Sequence, residues 1–296
     1  MKKHKITFIM ILFFFIGLLV LLYPSISNYH NQKVQSQAIF DYETILNNYD
    51  DNDYENFFLE AKKYNDQLSK LTNPFITHET LKGYNEALNI NGSGMMGYLT
   101  INKIKVELPI YHGTSEDVLN KAVGHLEGSS LPIGGVGTHS VLSAHRGLPS
   151  SKLFTELDKL EIGDTFTITI LNQVLTYEID QITIVEPSDI SNLEINPDED
   201  YVTLLTCTPY GINTHRLLVR GVRVLDGEKK IYITTEAFRI NTLIVMPVVA
   251  LPIIFMLLII ILVKPVKNNK KVKKYLLNLK NKINKYEGVG DNDKKI

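Results

Sequence analysis

Residues 203–221 read TLLTCTPYGINTHRLLVRG, and the reading of this stretch decides how the rest of the chain is arranged. A β-rich run from Tyr201 to Thr206 leads into Cys207, the single cysteine of the protein. A turn-rich segment, Pro209 to Asn213, follows, and a second β-rich run, Leu217 to Arg220, returns. The pattern predicts strand, loop and antiparallel strand. Cys207 and Arg216 then stand at the two lips of one hairpin. A lone cysteine in a strand is commonly a small buried hydrophobe. A guanidinium beside it changes its setting, because an electropositive neighbourhood suits a thiolate and stabilises developing anions.

Working outward, further short strands are expected at 97–101, 105–111, 138–145, 164–170 and 173–185, besides 201–207 and 216–224. Short helices are expected near 115–121 and 151–158. Many short strands with helices inserted between them predict a closed or nearly closed β-barrel. Ahead of the strands, residues 30–71 are polar and helix-like. Tyr54, Phe57, Phe58, Ala61, Tyr64, Leu68 and Leu71 follow the spacing of one apolar helix face, which is packing surface rather than chemistry. Thr72-Asn73-Pro74-Phe75 ends that region by turn chemistry.

The two ends of the chain read as membrane segments. Ile6 to Leu22 is an apolar run near the ~17-residue lower limit for a spanning helix. Lys2, Lys3 and Lys5 precede it, and no small-residue cleavage pattern follows, so an uncleaved signal anchor is expected. Thr242 to Val263 is a second apolar run with six lysines just after it. The positive-inside rule puts both ends in the cytoplasm and the middle outside. Between the runs, residues 24–240 hold 17 Lys and Arg against 29 Asp and Glu, a net −12. Residues 264–296 hold 11 Lys against 3 acids, a net +8. The acidic middle argues against a nucleic-acid partner, and the basic tail suits an anionic membrane surface.

A cysteine nucleophile needs a histidine within reach and a positive group for the oxyanion. His145 is the best placed of the histidines, because it ends a β-rich run just before Gly147 and Pro149, where functional residues concentrate. His125 and His215 compete. His215 adjoins Arg216 and points to the other face of a regular strand. The order His145, Cys207, Arg216 excludes a papain-like arrangement. No metal site is expected, since the histidines lack metalloprotease spacing and there is one thiol.

TLLTC at 203–207 matches the TLxTC motif of the sortases. The continuation through Gly221, with LPIYHG at 108–113, GHLEGSSLP at 124–132 and SAHRGLP at 143–149, closely resembles the class C, pilin-polymerising sortases. The resemblance covers about residues 70–225. It implies an eight-stranded sortase barrel, mainly β, with N-terminal helices packed on it, to which the two apolar runs add a membrane helix at each end. It implies Cys207 as nucleophile, His145 as acid and base, Arg216 as oxyanion stabiliser and Thr206 as a substrate contact. It also implies an LPxTG-like sorting signal as substrate, a pilin lysine as acceptor and no cofactor. Peptidoglycan precursor as acceptor, in a wall-anchoring sortase, is the enzyme alternative. A non-catalytic membrane-anchored scaffold is the alternative outside enzymes. Class C relatives carry an Asp-Pro-aromatic lid before the barrel. Asn73-Pro74-Phe75 stands in that place here, and Asn73 offers no charge to Arg216.

The expected layout is a cytoplasmic N-terminus (1–5), a membrane anchor (6–22) and an extracellular helical region (23–95) with a lid-like segment (72–82). The catalytic barrel (96–226), a juxtamembrane linker (227–241), a membrane helix (242–263) and a cytoplasmic tail (264–296) follow.

Overall fold

The computed structural model describes residues 2–224 and, beyond them, only Ile254 and residues 277–279. Apart from those four residues, the second apolar run and the basic tail lie outside the described residues.

Helix α1 runs from Lys2 to Leu46. The anchor and the first helix of the soluble part, expected as separate segments, form one unbroken 45-residue helix that passes through Pro24. Pro24 removes one N–H from the helical ladder, a loss that helices at a membrane tolerate. Among the described residues this is the one helix long and apolar enough to cross a membrane. Helix α2, Asp51–Leu68, starts at a capping box in which Asp50 and Asp53 each accept from the other's backbone N–H. Its expected stripe packs inward, with Ala61, Tyr64 and Leu68 buried and Tyr54, Phe57, Phe58 and Leu71 half-buried against the core.

Eight strands close a barrel in the order β1-β2-β3-β4-β7-β8-β6-β5. They are β1 (Met95–Ile101), β2 (Val106–His112), β3 (Val123–His125), β4 (Thr138–Ser143), β5 (Thr165–Ile170), β6 (Gln173–Val185), β7 (Asp200–Thr208) and β8 (His215–Val224). Two neighbouring pairs are parallel, β2 with β3 and β4 with β7. Alternation sets the faces. In β5, TFTITI sends Phe166, Ile168 and Ile170 into the barrel and its threonines outward. Phe166 stacks on Tyr177 of β6 inside the barrel.

Seven strands fall where the sequence places them. The eighth, β3, is three residues long, and Val-Gly-His carries no alternation to read. A helix α3 covers Pro74–Thr77 and a helix α4 covers Glu116–Leu119. The helix expected near 151–158 is instead a series of turns ending in a 3-10 turn at Leu157–Lys159. Ser150 and Ser151 on its approach bond α1 rather than their own chain segment.

Side chains of the N-terminal helices fasten the barrel. Tyr42 of α1 is fully buried; its hydroxyl donates to the Met96 carbonyl and accepts from the Leu171 N–H. Asn65 of α2 donates to the Leu131 carbonyl at 3.1 Å and accepts from the Leu131 N–H at 2.7 Å. This clasp satisfies a buried amide on both sides, as burial of a polar group requires.

Candidate active site

Strands β7 and β8 pair with Cys207 directly opposite Arg216. The hairpin reading of 203–221 therefore holds, and the two residues are cross-strand neighbours rather than merely near in sequence. Alternation along β7 buries Val202, Leu204 and Thr206, and leaves Leu205 and Cys207 half-buried on the outer face. The thiol is thus reachable from outside the barrel.

His145 lies two residues past the end of β4. The parallel register of β4 on β7 pairs Ser143 with Leu205, and the Ala144 N–H donates to the Leu205 carbonyl. Carried on by two residues, that register sets His145 level with Cys207. Thr206 secures the step, because its hydroxyl donates to the Ala144 carbonyl at 2.8 Å. Thr206 was expected to touch substrate. It is 1% exposed, faces inward, and holds the segment that carries His145.

Arg216 is half-buried, and its Nη1 donates to the carbonyl of His215 at 3.2 Å. None of the ion pairs among the described residues includes it. A cation held by backbone carbonyls and outside those ion pairs is placed to receive an anion.

The competing histidines are engaged elsewhere. His125 is fully buried, with Nδ1 at the Tyr84 hydroxyl and Nε2 at the Ser130 carbonyl. His215 lies against Glu186 and the Thr214 hydroxyl. His139 bridges the Glu194 carbonyl and the Thr203 hydroxyl. Burial pushes His125 and His139 down to about 4 from the usual 6.5. Both stay neutral in the fold while the unfolded chain takes up protons below pH 6.5. Stability is therefore complete above that value and falls as pH drops towards 4. Between pH 7.5 and 5.5 each histidine is expected to remove about 1 kcal/mol of unfolding free energy. Urea titrations at the two pH values measure this, and equal stabilities would remove the assignment.

One residue was missed in the sequence. Arg146, next to His145, donates through Nη1 to the Thr208 hydroxyl at 3.1 Å and pairs with Asp158. It thereby ties the loop after β4 to the residue following Cys207. Tyr210 lies over its guanidinium. Gly147 leaves room for that ring, since a Cβ there would stand 3.0 Å from it. A charged side chain between a candidate histidine and a glycine was the available signal.

Beside the thiol, a small apolar cluster lies on the outer face. Val141, Val185, Leu193 and Leu218 form it, and Leu126, Leu205 and Phe75 pack against it. Phe75 comes from α3. Asn73 before it adopts a left-handed conformation, φ 56°, with no capping bond from its side chain. Gly128 lies under this segment: a Cβ there would be 2.7 Å from Phe75 Cα and 2.8 Å from the Pro74 carbonyl. The segment Asn73-Pro74-Phe75 is thus seated on the apolar cluster, where the half-buried phenyl ring gains part of the roughly 1.5–3 kcal/mol that full burial gives. Removing the ring should loosen the seat, so Phe75→Ala is expected to speed alkylation of Cys207. Asn73→Asp, which adds a charge for Arg216, is expected to slow it. Rates unchanged in both variants would mean that the segment does not govern access.

The comparisons with known proteins identify the family of the fold. Residues 99–224 match the family model described as the sortase domain. Among solved structures, the chain is similar to sortase C1 from Streptococcus agalactiae, at 53% identity and a TM-score of 0.60 over 64% of this chain and 99% of that one. It is also similar to Clostridium perfringens sortase C solved with the C-terminal cell wall sorting motif, at 46% identity and a TM-score of 0.56, over 64% of this chain and 99% of that one. Among curated proteins, it is 35% identical to sortase D of Bacillus subtilis (strain 168) over 131 residues, which make up 43% of this chain and 63% of the relative. The chain spans between 39 and 63% of the length of the three curated relatives it matches.

Proposed function

The chain belongs to the sortase family, and from that premise we propose that it is a membrane-anchored class C transpeptidase that polymerises pilin subunits. The observation that carries the reading is the outward-facing Cys207 paired with Arg216, with the β4–β7 register bringing His145 to the same level.

In this mechanism the Cys207 thiolate attacks the threonine carbonyl of an LPxTG-like sorting signal. Arg216 holds the oxyanion of the tetrahedral intermediate. His145 gives a proton to the departing glycine amine, and a thioester remains on Cys207. His145 then takes a proton from the incoming pilin lysine amine, which attacks the thioester, forms an isopeptide bond and frees the thiol. The apolar cluster around Leu205 and Leu218 suits the Leu-Pro of the signal. Phe75 occupies part of that cluster, so lid and substrate compete for one surface. Thr206 acts by positioning, not by contact.

Incubation with a purified pilin bearing a sorting signal tests the function. A ladder of covalent multimers is expected. Transfer to a peptidoglycan-like amine with no ladder would reassign the enzyme to wall anchoring.

The basic residues flanking the two apolar runs support a topology with both ends cytoplasmic and the barrel outside. Protease added to intact cells is then expected to digest the barrel and spare residues 264–296. Cleavage of that tail from outside would overturn the orientation.

A further inference from the structure

We propose that the rim beside Cys207, formed by Tyr210 and Ile212 of the β7–β8 turn with the adjoining loop at Leu148 and Pro149, rests on the outer lipid surface, so that the active site opens at the bilayer. The proposal depends on reading α1 as the membrane anchor.

The order of contacts along α1 supplies the geometry. Asn28 Oδ1 accepts from the Lys152 N–H at 2.8 Å, Asn31 Nδ2 donates to the Ser150 carbonyl at 2.8 Å, and Gln35 Nε2 donates to the Lys121 carbonyl at 2.7 Å. Tyr42 follows, bonded to Met96 and Leu171. The loop after His145 therefore takes the position on α1 nearest the apolar run. The remaining barrel contacts lie farther along the helix.

The helix is unbroken between Leu22 and Asn28, so the six-residue separation is a rise of about 9 Å. The polar layer on each side of a bilayer is roughly 5–8 Å thick. Tyr23 and Tyr29 flank this interval and are 56% and 72% exposed. Aromatic residues with one apolar and one polar end gather at that level of a membrane. The segment 150–152 thus sits at the outer edge of the headgroups.

The rim is coupled to that segment. Gly147 lies under the Tyr210 ring, three residues before Ser150. Tyr210 and Ile212 are 59% and 68% exposed. They follow Cys207 by three and five residues. Tyr210, braced on Arg146 and Gly147 with its outer side open, and the exposed Ile212, held beside a loop at headgroup level, fit an interfacial lipid surface.

The chain contains no tryptophan, so single substitutions give clean fluorescent probes. The full chain would be placed in nanodiscs containing lipids with a spin label just below the headgroup. Ile212→Trp is expected to lose most of its emission there, and Tyr210→Trp, a second probe of the same rim, should behave alike. Val136→Trp is the reference: Val136 is 76% exposed and precedes β4, at the opposite end of that strand from His145. It should stay bright. Rim probes as bright as the reference, with Tyr23→Trp at the end of the apolar run of α1 quenched, would overturn the lipid contact and leave the anchor intact. A chain that fails to co-elute would remove the anchor, and the lipid contact with it.

Discussion

Arg216→Lys is expected to lower turnover on the order of 10²-fold or more, the cost typical of losing an oxyanion donor. Lysine keeps the positive charge, so loss of charge is not what the variant tests. What it loses is the planar fork with several fixed donors. In the structure Nη1 is already turned to the His215 carbonyl at 3.2 Å. That bond fixes the guanidinium plane across from Cys207 while leaving other donors free. An ammonium on a flexible stem is not held in this way, and its hydration competes with the oxyanion. Because the interaction strengthens as charge develops on the substrate carbonyl, kcat should fall with KM nearly constant. Steady-state kinetics on a sorting-signal peptide separate the two. A rise in KM with kcat unchanged would make Arg216 a binding residue instead.

Cys207→Ala is expected to abolish transfer altogether. The side chain removed is the only thiol in the chain. No disulfide is lost, and Cys207 is half-buried on the outer face of β7, so the barrel interior is not emptied. The variant should melt close to the parent temperature. Mass spectrometry after incubation with a sorting-signal peptide should find an acyl adduct on Cys207 in the parent and none in the variant. An adduct or polymer formed by a folded Cys207→Ala protein would end the mechanism.

Much of this was readable beforehand because β-alternation and turn residues act locally. TFTITI declares its two faces without help from the rest of the fold, and the hairpin at Cys207 follows from a β-rich run, a Pro-Tyr-Gly turn and a second run. Alternation also sends Thr206 inward once Cys207 faces out. There its hydroxyl donates to the Ala144 carbonyl, a partner the motif does not announce. Other features depended on tertiary partners. β3 is a strand only because β2 and β4 lie on either side of it. The docking of α1 on the barrel rests on Asn28, Asn31, Gln35 and Tyr42 finding distant backbone groups, which no local pattern announces.

The parallel pairing of β4 with β7 has a bearing on how the enzyme comes into being. The Thr206–Ala144 bond closes a loop of 62 residues, with the β5–β6 hairpin lying inside it. Contacts so remote in sequence are rewarded only after the loop has closed, which slows folding. Cys207 and Arg216 come from one hairpin and can meet early, but His145 comes level with Cys207 only when the long excursion has been enclosed. A chain still emerging or only partly collapsed therefore holds a cysteine and an arginine without an acid–base partner. On the proposed mechanism, acyl transfer would begin only with barrel closure, and the unfinished protein would be spared from joining its neighbours at random.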